Sequence, residues 1–244
     1  MKIMPKEKDA LVVTLNKMGY MNAEPEFYNE AFIEFSAQCS DPCLEIGTAY
    51  GRTTIAALKK GATIIANDLS ADHLDILFQN TPESLRKNVT LVPGAFPDAI
   101  SIEDNSLGAV LSSRVLNFLE PEILPAAIDK IFKWLRPGGK FFMLVSSPFM
   151  HNFFRFLPEY WENKAKNATW PGHLKDIPEY VPERSEDLPY FINLLDMEQV
   201  TLLLNDAGFH IEKIGYSGAT SLHPSDMRSD GREHVGVIAV KPLN

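Results

Sequence analysis

Two carboxylates and two glycines make the chemically suggestive pattern in this chain. Residues 44–54 read LEIGTAYGRTT, with Glu45 two positions before Gly47 and Gly51 four positions after it. An apolar run that turns tightly into a helix needs small residues where backbone must approach a ligand. An acid ahead of such a turn repels a pyrophosphate and welcomes a cation or a hydroxyl. The second carboxylate, Asp68, lies 21 residues beyond Gly47 at the end of another apolar run. An acid there can accept both hydroxyls of a ribose, or cap the next helix. Together the two acids describe a site for a nucleoside that carries an ammonium group, not for a dinucleotide.

Apolar periodicity supplies the elements that must hold these groups. Two helices are expected over 9–18 and 25–38, followed by a strand at 43–47 and a helix over 52–60 that Gly61 ends. ATIIA, residues 62–66, is a second strand, and Ser70 caps a helix over 71–79. Further strands are expected at 89–92, 107–111 and 140–145. A helix runs from Pro121 to Leu135, and Pro137-Gly138-Gly139 breaks it before the fifth strand. A helix over 196–207 and strands at 209–216 and 234–240 complete the pattern. Short apolar strands alternating with helices predict an α/β fold, a mostly parallel sheet with helices on both faces. Residues 148–190 interrupt this rhythm with six prolines and nine aromatics, and read as an inserted lid or substrate cap. The expected organisation is an N-terminal helical cover at 1–40 and a ligand-binding domain at 41–244 containing the insertion.

Ligands of open α/β sheets bind beyond the carboxyl ends of the strands. Gly47, Thr48, Gly51, Asp68, Gly94 to Phe96 and Ser112 to Arg114 fall at such ends. The net charge is −9, with 32 acidic against 23 basic residues, which argues against nucleic acid or an anionic membrane as partner. No apolar stretch approaches ~18 residues, so no membrane span is expected. The charged N-terminal residues do not form a signal peptide, and the two cysteines, Cys39 and Cys43, read as buried thiols, so the expected setting is the cytoplasm. The six histidines show no metal-ligand spacing, and no metal is expected.

Over residues 43–146 the chain resembles the class I S-adenosylmethionine-dependent methyltransferases of the small-molecule type. The resemblance rests on Glu45, Gly47 and Gly51, on Asp68, on DNSLGAVLSSRVLNFLEPE at 104–122 and on LRPGGKFFMLV at 135–145. It implies that Glu45, Gly47, Thr48 and Gly51 hold the methionine part of the cofactor. Asp68 and Leu69 would hold the ribose, and Ala95 and Phe96 would frame the adenine; Ser113 is a further cofactor-facing candidate. Ala49 stands where the family often has a glycine. The family's adenine-binding acid is replaced by the run Gly94-Ala95-Phe96-Pro97-Asp98, so either Phe96 packs on the adenine or Asp98 reaches back. The fold that the resemblance implies is a Rossmann-like, mostly parallel seven-stranded sheet with the last strand antiparallel. The implied reaction moves a methyl group to O, N or C of a small organic acceptor and leaves S-adenosylhomocysteine.

A high-pKa oxygen nucleophile would need a base, for which His151 and His173 are the candidates. Arg114 and Asn117 follow the fourth strand, where the family places substrate-facing groups, although Arg114 could equally pair with an acidic helix. Tyr160 and Trp161 in the aromatic insertion are the candidate pocket residues. Tyr20 and Tyr28, in the expected N-terminal helices, could close over the cofactor. Competing readings are a catalytically inactive cofactor-binding regulator or scaffold, a methyltransferase acting on a protein, and an NAD-dependent oxidoreductase. The partner set is a small molecule, with a homodimer also allowed.

Overall fold

The computed structural model describes residues 5–6, 11–22, 26–218 and 223–243. Strands β1 (Leu11–Val13) and β2 (Tyr20–Asn22) form an antiparallel hairpin in register Val12↔Met21. This corrects the helix expected over 9–18, of which residues 9 and 10 lie outside the described residues. Leu11-Val12-Val13-Thr14 is rich in β-branched side chains that lose rotamer freedom in a helix, and Lys17 and Gly19 adopt positive φ of 54° and 104° that close the turn. Helix α1 (Phe27–Ser36) falls within the expected 25–38 span, whose residue 25 is likewise undescribed.

The central layer follows the expected order. It comprises β3 (Cys43–Ile46), α2 (Arg52–Lys59), β4 (Ile64–Asp68), α3 (Ala71–Asn80), β5 (Val89–Pro93) and β6 (Leu107–Ser113). Then come α4 (Leu124–Trp134) and β7 (Leu135–Ser146). Helix α4 ends ahead of Pro137 to Gly139 as expected, but these residues lie within β7 and not before it. The register with β6 slips there, from Leu107↔Leu135 to Ala109↔Lys140. The insertion holds α5 (Leu157–Ala165), β8 (His173–Leu174) and α6 (Ile177–Tyr180). Strand β8 pairs antiparallel with β9 (Ile192–Asn193), just after the insertion. Helix α7 (Met197–Asp206), β10 (His210–Ser217) and β11 (His234–Val240) end the described chain.

The seven-stranded sheet has the order β10-β11-β7-β6-β3-β4-β5. β11 is antiparallel to both of its neighbours, β7 and β10, and the other pairings are parallel. The chain leaves β3 first towards β4 and later re-enters beside it at β6, so the crevice opens above β3 and β6. Alternating side chains of the strands feed two cores. Leu44, Ile46, Val110 and Phe141 pack with Ile128, Ile131, Val200 and Leu204 from α4 and α7. Cys43, Ala109, Leu111 and Phe142 pack on the other face with Phe32, Leu58 and Leu77 from α1, α2 and α3. This burial on both faces explains why the strands read as continuous apolar runs.

Candidate cofactor and acceptor site

A cavity of about 340 Å³ lies above β3 and β6. The loop between β3 and α2 forms its floor and repeatedly takes left-handed backbone, with φ of 71° at Gly47, 47° at Ala49 and 81° at Gly51. A Cβ on Gly47 would come within 2.2 Å of Val115, and one on Gly51 within 2.3 Å of Leu77, so both glycines are sterically required. Ala49 does what the expected glycine would do, at the cost of an unfavourable φ. Its N–H donates to Asp68 Oδ2 at 2.8 Å, which holds the loop against the end of β4.

Glu45 is buried beneath this loop. Its Oε2 accepts from the hydroxyls of Thr48, at 3.2 Å, and of Thr54. Burial raises the Glu45 carboxyl to about 7, the threonine hydrogen bonds oppose that rise, and the neighbouring Asp68 charge adds to it. Asp68 is also largely engaged by the chain. Its Oδ1 accepts from Ser70 N–H at 2.8 Å and pairs with His73 Nδ1 at 2.9 Å. A carboxylate offers about four acceptor positions. Three are taken, so the remaining one lies on Oδ2, and the two-oxygen ribose grip expected from the sequence is reduced to a single strong contact. Asp68 thereby also braces the start of α3, as a cap would.

The other expected cofactor residues, Leu69, Ala95, Phe96 and Ser113, line the same cavity. Asn67 positions the loop after β5 by donating to the carbonyls of Val92 and Gly94, both at 2.9 Å. Phe96 is mostly buried, edge-on to Trp134 at 6.0 Å. Asp98 does not reach back: its side chain is exposed and faces Lys130 at 3.4 Å.

Towards the end of β7 the cavity becomes more apolar, walled by Met18, Phe118, Met150, Phe153, Leu188 and Ile192. Arg114 lines this compartment with a left-handed φ of 58°. Its Nη2 pairs with Glu26, and its Nε donates to His234 Nε2 at 3.1 Å. Arg114 therefore pairs with an acid at the start of α1, one of its sequence alternatives, and also stands on the cavity wall. Burial, with the adjoining Arg114 charge second, holds His234 well below the ordinary histidine value, so the ring is neutral.

Several expected residues lie elsewhere. His151 is exposed and stacks on Phe154 at 5.5 Å, and His173 packs edge-on to Phe191 with Glu120 at 3.8 Å. Neither is on the cavity wall. Asn117 is a buried clamp, donating to the carbonyls of Ser146 and Asn193 and accepting from Ser146 N–H. Tyr160 is buried with its hydroxyl on Asp196 at 2.5 Å, and Trp161 is 52% exposed. Tyr20 does reach the cavity, whereas Tyr28 packs where Gly236 has no side chain. Sequence reasoning missed His73 and His234 because their partners are 5 to 120 residues distant and carry no spacing signal. It expected a cover from the N-terminal residues but as helices, whereas β1, β2 and their turn line the cavity as a hairpin roof.

Residues 43–139 match the methyltransferase domain family. That stretch of the chain is similar to a methyltransferase domain. The chain is 33% identical to wheat phosphoethanolamine N-methyltransferase 1 over 107 residues, 42% of this chain and 21% of that enzyme. Other curated relatives are matched over less than half of their length, such as the 46% matched in an uncharacterised methyltransferase of Mycobacterium bovis. A crystal structure of a Methanosarcina mazei SAM-dependent methyltransferase superposes with a TM-score of 0.64 at 16% identity, covering 87% of this chain and 98% of that one. A glycopeptide N-methyltransferase in complex with S-adenosylmethionine superposes at 0.56 and 19% identity, covering 88% and 92%. These structures share the fold of the methyltransferase domain. Among the described residues no group of three or more metal-ligating side chains occurs and no helix is long and apolar enough to cross a membrane.

Proposed function

We propose that this protein is an S-adenosylmethionine-dependent methyltransferase acting on O, N or C of a small organic acceptor. One observation carries the reading: a buried carboxylate contacted by threonine hydroxyls, Glu45, shares a cavity with Asp68 and opens into an apolar compartment. A carboxyl raised by burial is relieved by a cation, which fits the ammonium end of the cofactor. Asp68 Oδ2 fits a ribose hydroxyl, and Leu69, Ala95 and Phe96 supply the apolar frame for a base. When bound, the cofactor would supply an electrophilic methyl carbon for an electron pair of the acceptor's O, N or C, with the sulfur as leaving group.

The chain's own task is alignment and exclusion of water. The hairpin roof and the side chains Met150, Phe153 and Ile192 provide the enclosure. Arg114 has Nε and Nη2 engaged, which leaves Nη1 to orient an anionic or carbonyl group of the acceptor. His234 already accepts from Arg114, which favours acceptors that present a lone pair without help from a base. A thermal-shift comparison of S-adenosylmethionine, S-adenosylhomocysteine and NAD tests the reading. At one hundred times its dissociation constant a ligand stabilises the fold by about 2.7 kcal/mol. Both sulfur nucleosides should do so and Asp68→Ala should lose most of the effect, whereas stabilisation by NAD alone would overturn the proposal.

A further inference from the structure

His73 is buried between the cofactor carboxylate and the roof. Leu15 N–H, in the turn between β1 and β2, donates to His73 Nε2 at 3.1 Å. That bond fixes the tautomer: Nε2 is the acceptor, so the neutral ring carries its proton on Nδ1 and donates it to Asp68 Oδ1 at 2.9 Å. The ring lies edge-on to Tyr50 at 5.0 Å, and Tyr50 in turn donates its hydroxyl to Val13 O at 2.8 Å. The far side of the hairpin is fastened to the insertion. Gly19 N–H donates to Asp187 O at 2.8 Å, the Tyr20 hydroxyl to Asp187 Oδ2 at 3.0 Å, and Arg184 lies over the Tyr20 ring at 5.2 Å.

We propose that His73 is a positioning residue that couples the cofactor site to the hairpin roof. Through Nδ1 it occupies Asp68 Oδ1 and turns Oδ2 towards the ligand. Through Nε2 it holds the turn whose residues Asn16 and Met18, with Tyr20 of β2, wall the cavity. One ring thus sets both the carboxylate that meets the ribose and the roof over the acceptor. A ligand that stiffens Asp68 stiffens the roof, and by reciprocity a loosened roof weakens the ligand. The inference rests on the proposed cofactor, but the tether itself can be tested without it.

Leu15 offers a clean variant. Lys17 N–H donates to Thr14 O at 3.1 Å, so Leu15 is the second residue of a four-residue turn, a position that favours proline. Leu15→Pro removes the N–H given to His73 and touches neither Asp68 nor the cavity wall. The companion His73→Asn keeps a donor near Asp68 but is too short to reach Leu15. Hydrogen exchange of amides 16–22 and S-adenosylhomocysteine binding by calorimetry would be measured on the full chain. Without ligand, amides 16–22 should exchange at least tenfold faster in both variants than in the wild type. With S-adenosylhomocysteine, the wild-type roof should gain at least tenfold protection. Leu15→Pro should bind it about three- to tenfold more weakly and gain little protection. Unchanged exchange in both ligand-free variants would overturn the tether. Unchanged affinity and full ligand-induced protection in Leu15→Pro would overturn the coupling. A wild type that binds no S-adenosylhomocysteine would count against the cofactor reading, while the ligand-free comparison still decides the tether.

Discussion

A proton on Glu45 competes with any cation that enters beside it. Burial lifts this carboxyl to about 7, so near neutral pH the ligand-free site is divided between protonated and ionised forms. Binding an ammonium group selects the ionised form and releases the proton. The dissociation constant of S-adenosylmethionine should therefore rise about tenfold per pH unit below 7 and level off above it, as a one-proton linkage requires. Calorimetry in a buffer series from pH 5.5 to 8 would show this, and a flat profile would remove Glu45 from the ammonium site. The ligand-free fold should respond in the opposite sense. A carboxyl raised in the folded state contributes most below its ordinary value near 4.5, and that contribution is lost as pH rises towards 7. At this scale the sequence was informative, because Glu45, Gly47, Gly51 and Asp68 are set by local turn geometry. What it could not convey was that Asp68 spends three of its acceptor positions on Ala49, Ser70 and His73.

Helix α5 is tied to α7 by a small polar knot. Tyr160 donates to Asp196 Oδ2 at 2.5 Å, Lys164 Nζ approaches the same oxygen at 2.7 Å, and Asp196 Oδ1 caps α7 by accepting Gln199 N–H at 2.8 Å. Burial opposes ionisation of Asp196, but the hydrogen bonds from Lys164 and Tyr160 outweigh it and leave the carboxyl below its usual range. Tyr160→Phe should destabilise the protein by about 2 kcal/mol, the size of a hydrogen bond to a charged group, while leaving S-adenosylhomocysteine affinity within twofold. Chemical denaturation and calorimetry would measure the two effects, and a large loss of affinity would return Tyr160 to the binding site. The sequence marked Tyr160 as aromatic and pocket-like because its partner lies 36 residues further along, beyond the reach of any local pattern. The same limit applies to the hairpin. Apolar residues over 9–18 fit a helical face, but the β-branched run and Gly19 favour a turn, and the contacts at Tyr50 and His73 reward it. The strands and helices between 43 and 146 were legible because burial on both faces forces long apolar runs separated by glycine and proline.

The molecule has a main body of two cores on either side of the sheet and a satellite core under the insertion. The satellite gathers Phe149, Phe153, Phe156, Tyr160, Leu174 and Ile177 and is smaller than either main core. It closes on itself through the short β8–β9 pair. Such a unit should open before the sheet does. Amides of α5 should exchange through a lower-energy opening than those of β3 and β6, a difference that native-state exchange in low denaturant resolves; equal opening energies would show a single cooperative unit. The hairpin joins both units, gripping His73 and Tyr50 on one side and Asp187 on the other. The placement of β11 has a further consequence for how the protein is made. Because β11 threads between β7 and β10 and delivers His234 beside Arg114, β10 has no place in the sheet until it arrives. A chain still being synthesised could have the Glu45 loop and Asp68 in place, since N-terminal parts fold first. Its apolar compartment would still lack one wall, so, on the proposed function, a ribosome-bound chain should capture the nucleoside before it can enclose an acceptor.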